Sequence, residues 1–288
     1  MIKDCFVPRN DKRNSKMLKK QQLQETTTFL QDKGISNPEV GIVLGTGLGK
    51  LVNEIDIEHE IPYSEIPHFP QATVEFHSGK LIYGTLSGKK VLVMSGRFHV
   101  YEGYNLWEVT YGIRSMHALG IKILLISNAA GAVNLNFKKG HLMLIDDHLN
   151  LQGSSPLAFK RAGEMGDLFA DMLEPYSKEL NTKMKAIAKA NDIDLKEGVY
   201  ASVVGPQLET RAEYRMLQIL EVDAVGMSTV PEVIVAKHLQ LSCVAVSVLT
   251  DECDPKNLQP VNIQEIIEVA GKAEPKMITL FKELIEQL

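Results

Sequence analysis

The chain has 288 residues, 44% hydrophobic and 23% charged, with a net charge of −5. That is enough for one large core or two modest ones. The acidic balance, with no dense basic run beyond the N-terminal tail, argues against nucleic acid or an anionic membrane as a partner, and no apolar stretch approaches a bilayer span. The first residues hold no apolar segment of signal-peptide length. Cys5, Cys243 and Cys253 are scattered, without Cys-x-x-Cys spacing. Neither a disulfide framework nor a zinc site is suggested, and a reducing cytoplasm fits best.

Taken in order, residues 1–16 read as a loose polar arm and 17–33 as a helix stopped by Gly34. The arm and helix (1–34) precede one continuous domain, 35–288. Pro38–Gly45 is a strand running into the glycine-rich turn Gly45-Thr-Gly-Leu-Gly-Lys50. Glycines there let the backbone approach an anion, although the spacing is neither that of a P-loop nor that of a dinucleotide fold. A proline-rich loop, Ile61–Pro70, leads to His77 and a hairpin of Lys80–Leu86 and Lys89–Ser95.

The stretch after that hairpin, Ser95-Gly-Arg-Phe-His-Val-Tyr-Glu-Gly-Tyr104, carries a cation, an imidazole and a phenol at alternate positions. If the strand continues, Arg97, His99 and Tyr101 share one face, which suits an oxyanion with a sugar beside it. Taken alone, the triplet reads equally well as a solvated strand end above a Phe98–Val100 core face. Asn105 and Glu108 open a helix over 105–119, closed by Gly120. Lys122–Asn128 is an apolar strand ending in small residues, Ala129–Ala132, and His141–Asp147 is another strand.

Residues 151–175 form a long loop, of the kind that has a task or meets a neighbouring subunit. A helix over 176–191 and a strand over 198–205 follow, then a capping box at Thr210 and Glu213 and a short strand starting at Ala224. Thr229 and Glu232 repeat the capping pattern, placing Ser228 at a helix N-terminus that favours an anion. The last strand, Leu241–Leu249, ends at Thr250-Asp251, and Asn262 opens a C-terminal helix that Pro275 should kink or divide. His59, His117, His141 and His238 have no partner pattern, and Asp251–Asp254 reads as turn chemistry rather than a metal loop. The strand–helix alternation gives an α/β fold with a sheet covered on both faces. Polar residues gather at six strand ends, where α/β proteins bind ligands.

Six blocks together resemble the trimeric (low-molecular-mass) purine nucleoside phosphorylase family. They are Gly45–Gly49, His77–Gly79, Gly96–Gly103, Ser127–Gly131, Gly205–Thr210 and Val225–Glu232, in the family's order. The resemblance implies a single α/β domain with a mixed, twisted, barrel-like sheet flanked by helices. It implies phosphorolysis of inosine, guanosine and their deoxy forms to free base and sugar 1-phosphate, by a cytoplasmic homotrimer with no metal or organic cofactor. Carried over by position, Thr46, His77, Arg97, His99, Ala129 and Ser228 would bind phosphate, and Tyr101 and Met227 the sugar. Leu208, Glu209, Thr250 and Asp251 would hold the base, with His99, Glu209 and Asp251 closest to the chemistry. Met165 would cover a neighbouring subunit's sugar.

Two departures pull toward 5′-methylthioadenosine phosphorylases. Members selective for 6-oxopurines carry Asn where Asp251 stands, and a carboxylate can only accept. Ile263 occupies the place of the family's histidine for the 5′-hydroxyl. Glu209 pulls the other way, since it can accept from N1–H and a 2-amino group. A non-catalytic purine-binding protein on the same fold is the reading from another class.

Overall fold

A computed structural model of the protein describes residues 11–71, 79–159, 162–167 and 169–288. Its elements in order are α1 (Asp11–Asp32), β1 (Val40–Leu44), β2 (Asp56–Pro62), β3 (Lys80–Leu86), β4 (Lys89–Ser95), α2 (Leu106–Val109), α3 (Tyr111–Leu119), β5 (Ile123–Ala132) and β6 (Leu142–Asn150). They continue with α4 (Lys178–Ala190), β7 (Leu195–Ser202), α5 (Arg211–Ile219), β8 (Ala224–Gly226), α6 (Val230–His238), β9 (Ser242–Glu252) and α7 (Ile263–Glu286).

The continuous apolar runs are strands buried on both faces. Val43, Leu92, Met94, Leu124 and Ile126 face one core with the helices α1, α3 and α6. The alternate residues Ile42, Leu44, Val91, Val93 and Leu125 face the other, where α4 and α7 contribute Met184, Met277, Leu280 and Phe281. Period-two alternation sorts the two faces, and each large apolar side chain fully buried adds about 1.5–3 kcal/mol.

The strands lie in the order β2-β3-β4-β1-β5-β8-β7-β6-β9, with β9 also paired to β5. The segment from β5 round to β9 therefore closes into a barrel, and β1–β4 extend it as an open wing. Parallel and antiparallel pairings are mixed: β1 runs parallel to β4 and β5, and β6 antiparallel to β9. β5 belongs to both halves. It pairs with β1 only as far as Ile126, then continues to Ala132 against β9 and β8. The split that opens beyond Ile126 is where an α/β sheet admits a ligand.

Several local expectations need correction. The first helix begins by Asp11, so the loose arm does not extend to residue 16. The helix expected over 105–119 is broken at buried Thr110, whose hydroxyl bonds back to the Leu106 carbonyl at 2.7 Å, a contact that competes with regular helix. Pro275 lies inside α7 without dividing it. The polar edge strand β2 has no apolar alternation to announce it and takes its order from pairing with β3. The strand carrying Lys89–Ser95 does not run on to Tyr101: Gly96 takes φ +112° and a short 3-10 turn spans Val100–Glu102.

Candidate active site

The split leads into a cavity of about 260 Å³. Its wall includes Thr46, Arg97, His99, Tyr101, Ala129 and Ser228 at one end, and Leu208, Glu209, Met227, Thr250, Asp251 and Ile263 toward the other. All six strand ends singled out by sequence thus contribute to one cavity. Arg97, His99 and Tyr101 reach it from a turn and a 3-10 segment rather than from one strand face. His77 lies outside the described residues.

At the cationic end the backbone is tightly constrained. A side chain at Gly45 would meet the Asn128 Cα at 2.7 Å and the Ser127 carbonyl at 2.8 Å, so only glycine lets β1 press against β5 here. The Gly45 N–H donates to the Ser127 hydroxyl at 3.2 Å, which in turn donates to the Val43 carbonyl. Ser127 thereby bridges the strands where their ladder ends. Arg97 Nη1 donates to Ser228 Oγ at 2.9 Å, and Arg97 Nε lies 3.3 Å from Glu232 Oε1. Both charged side chains are nearly sealed from solvent, at 2% and 3% exposure. Such a pair fixes a guanidinium firmly, because removing either partner strands a buried charge.

Glu232 has a second task. Its Oε2 accepts the Thr229 N–H at 3.0 Å in the capping box that opens α6. Thr229 has φ +69°, an uncommon conformation for a β-branched residue. It is held there by that contact and by Asn128 Nδ2, which donates to its hydroxyl at 2.9 Å. The result places Ser228, just ahead of α6, on the cavity wall. Gln152 and Ser202 fix the same segment by donating to the Met227 and Ser228 carbonyls.

His99 is stacked on Tyr101, ring centroids 4.5 Å apart, and its Nδ1 lies 2.8 Å from Glu102 Oε1. Burial holds the imidazole below its ordinary pKa of 6.5, and the nearby Arg97 charge adds to this, against the raising influence of Glu102. A neutral ring that donates from Nδ1 to Glu102 leaves Nε2 as an acceptor. Burial also pushes the Tyr101 phenol up to about 12, keeping it neutral.

At the other end two carboxylates share the wall. Burial raises the Glu209 pKa, and the charge of Asp251 adds to it, while a hydrogen bond from Tyr214 opposes both. The Tyr214 hydroxyl also lies beside Cys253. The Cys253 thiol donates to Asp251 Oδ2 at 3.2 Å, and the Thr250 hydroxyl donates to Oδ1 at 3.0 Å. A side chain at Gly131 would meet Cys253 Sγ at 2.6 Å and Asp251 Oδ2 at 3.0 Å, so glycine makes room for this cluster. Leu208, Glu209, Thr250 and Asp251 also line an adjoining cavity of about 410 Å³, walled by 257–262.

Sequence reading missed Tyr214 as a wall residue and Glu102 and Glu232 as partners of the cationic groups. The two glutamates were visible only as members of quoted motifs: Glu102 sits three residues after His99, and Glu232 is the third residue of α6. The histidines at 59, 117, 141 and 238 are not on the cavity wall. Met165 is likewise absent from it, its N–H bonded to Ala162 O within the long loop.

The sequence matches the model of the Phosphorylase superfamily over residues 39–286. It is 42% identical over 266 residues to purine nucleoside phosphorylase 1 of Geobacillus stearothermophilus, covering 92% of this chain and 97% of the relative. Among solved structures, the Schistosoma mansoni purine nucleoside phosphorylase in complex with adenosine superposes with a TM-score of 0.88 at 37% identity, covering 93% of this chain and 97% of that one. A Schistosoma purine nucleoside phosphorylase in complex with guanosine superposes with a TM-score of 0.87 at 36% identity over 93% and 97%.

Proposed function

The chain belongs to the Phosphorylase superfamily, among the purine nucleoside phosphorylases, and from that premise we propose how its cavity carries out phosphorolysis of purine nucleosides to free base and (deoxy)ribose 1-phosphate. The observation that carries the assignment is one cavity lined both by a buried arginine, Arg97, and by two carboxylates, Glu209 and Asp251.

Phosphate is placed by Arg97, Thr46, Ser228, the Ala129 backbone and His99. The neutral His99 accepts from a P–OH through Nε2, while Glu102 fixes the tautomer. A phosphate oxygen bonds to C1′ as the C1′–N9 bond breaks and its electron pair leaves with the purine. The sugar, held against Tyr101 and Met227, becomes cationic, and the phosphate charge beside it lowers the barrier. Glu209 accepts from N1–H and, in guanine, from the 2-amino group. The leaving purine needs a hydrogen bond or proton at N7, the region faced by Thr250 and Asp251. No covalent enzyme intermediate and no cofactor beyond co-substrate phosphate enters this scheme.

The residues of the scheme rest on the cavity and on the family's pattern. The same pattern supports a homotrimer in which Met165 covers a neighbour's sugar. Phe169 and Leu173, 89% and 84% exposed in the same loop, support a subunit contact there. No helix among the described residues is long and apolar enough to cross a membrane, and a cytoplasmic setting belongs to the proposal.

Phosphate-dependent turnover of inosine, guanosine, adenosine and 5′-methylthioadenosine, measured side by side, tests the assignment. Inosine and guanosine should be the best substrates. The second reading, 5′-methylthioadenosine, is favoured by Asp251 and by the apolar Ile263 on the wall; preference for that nucleoside would establish it. Base release that does not depend on phosphate would sink both.

His99 supplies a pH prediction. Its lowered pKa means that kcat/KM for phosphate should stay level through pH 6.5, the ordinary imidazole value, and drop only at lower pH. Glu102→Gln removes a contact that raises the pKa, so the acid limb should move to lower pH. The rate should fall about tenfold, the worth of one charge-assisted hydrogen bond. An acid limb that stays in place would exclude His99 as the group that titrates. The stability effect has the same sign: the lowered pKa contributes stability that is present above 6.5 and lost as pH falls through the folded-state value.

A further inference from the structure

The glycine-rich turn that brings Thr46 to the cavity ends in a 3-10 segment, Lys50–Glu54. Its N-cap position is Gly49, which has no side chain to accept the first free N–H groups, and no local cap hydrogen bond is made. The acceptor comes instead from α7, 224 residues away in sequence. Glu274 Oε1 accepts the Lys50 N–H at 2.5 Å, and the Leu51 N–H is hydrogen-bonded to the same carboxylate. The Lys50 ammonium stands 4.0 Å from Oε2 but is well exposed, so its charge contributes little.

Glu274 is 0% exposed. Keeping a carboxylate in an apolar interior is costly unless it holds something in place, and its neighbours on α7 show what that is. At Gly47, φ +72°, an added Cβ would lie 3.1 Å from the Ala270 Cβ, and the Ile267 carbonyl is next nearest. Leu48 and Leu51 are fully buried on either side. The turn is thus clamped onto α7 at two points, the Gly47–Ala270 contact and the Glu274 cap. About one and two turns N-terminal to Ala270, the same helix sends Ile266 and Ile263 to the cavity wall.

We propose that Glu274, outside the cavity, is a positioning residue for the phosphate end of the site: it caps the turn Gly45–Lys50 and so fixes where the Thr46 hydroxyl and its backbone stand. The inference rests on the reading of phosphate as co-substrate. A purely structural glutamate would affect both substrates or neither, whereas a residue that sets the turn affects phosphate first.

Glu274→Leu fills similar space, removes the acceptor and leaves no buried charge. Glu274→Gln keeps an acceptor oxygen. With nucleoside saturating, the Leu variant should raise the KM for phosphate about tenfold, with the KM for nucleoside within about twofold of the parent. The Gln variant should restore phosphate KM to within about threefold. Phosphate-induced thermal stabilisation supplies a second readout that needs no turnover, and it should shrink in Glu274→Leu and return in Glu274→Gln. An unchanged phosphate KM in the Leu variant, or an equal rise in both KM values, overturns the proposal. So does a Gln variant as impaired as the Leu one, and so does loss of folding in both variants. Absence of phosphate-dependent turnover in the parent protein would instead reject the underlying reading, independently of either variant.

Discussion

Arg97→Met is expected to lower kcat/KM for phosphate about a hundredfold to a thousandfold, the range seen when one preorganised oxyanion donor is removed, while the nucleoside KM moves much less. The reason is geometric. Arg97 is not a mobile surface cation that another lysine could replace. Its Nη1 is committed to Ser228 and its Nε faces Glu232 in a nearly sealed pair, so the guanidinium is aimed before phosphate arrives and little reorganisation remains to be done at the transition state. The same burial complicates a single variant. Removing Arg97 leaves Glu232 charged and buried, which costs about 3–5 kcal/mol of stability, and a loss of rate could then reflect a disturbed α6. Pairing Arg97→Met with Glu232→Gln separates the two effects, because the amide oxygen of glutamine can still accept the Thr229 N–H. The double variant should recover thermal stability and keep the phosphate defect. If it regains phosphate kinetics as well, Arg97 works only by holding α6 in place, and the donor role is wrong.

That pair also shows what a single sequence can and cannot disclose. Arg97, His99 and Tyr101 were legible as a group because their side chains carry the chemistry, and they do line one cavity. The geometry used to group them was wrong: the strand ends at Ser95, Gly96 turns the chain, and a 3-10 segment finishes the job. The two-faced core was legible for a sounder reason, since continuous apolar runs of strand length leave little alternative to a sheet covered on both sides. Closure through β5 and β9 was not written in any local pattern, because β5 and β9 lie more than a hundred residues apart and pair through backbone groups common to every residue. The supporting carboxylates were hidden differently. Glu102 and Glu232 look like ordinary capping residues, and both do cap, but the capping Oε1 of Glu102 also meets His99 Nδ1, and the second oxygen of buried Glu232 faces Arg97. Glu274, in the middle of a helix, offers no local sign that its partner is a turn near the other end of the chain.

Asp251→Asn should shift the ratio of kcat/KM for inosine over adenosine upward by about tenfold to a hundredfold, the worth of replacing one repulsive contact by one hydrogen bond to a buried polar group. The wall around Asp251 explains both the direction and why the substitution should be tolerated. The two carboxylate oxygens already receive the Thr250 hydroxyl and the Cys253 thiol. As a carboxylate the group has only acceptor capacity left for the base, which suits a 6-amino group and opposes a 6-oxo group. An asparagine can keep its oxygen on Cys253 and turn its amide toward Thr250 and the base. The Thr250 hydroxyl has another acceptor within reach, the Ala130 carbonyl at 3.3 Å, so it need not be left as a donor facing a donor. The new amide then offers N7 or O6 what the carboxylate cannot. Glu209 is linked to this cluster through Tyr214 and Cys253, and the charge of Asp251 is one of the influences raising its pKa. Removing that charge should let Glu209 stay ionised to lower pH, so the acid limb for inosine should move down together with the change in ratio. A ratio that does not move would take Asp251 out of the specificity of the site and leave Glu209 as the residue that selects the purine. A ratio that moves while the acid limb stays fixed would mean that the two carboxylates read the base independently.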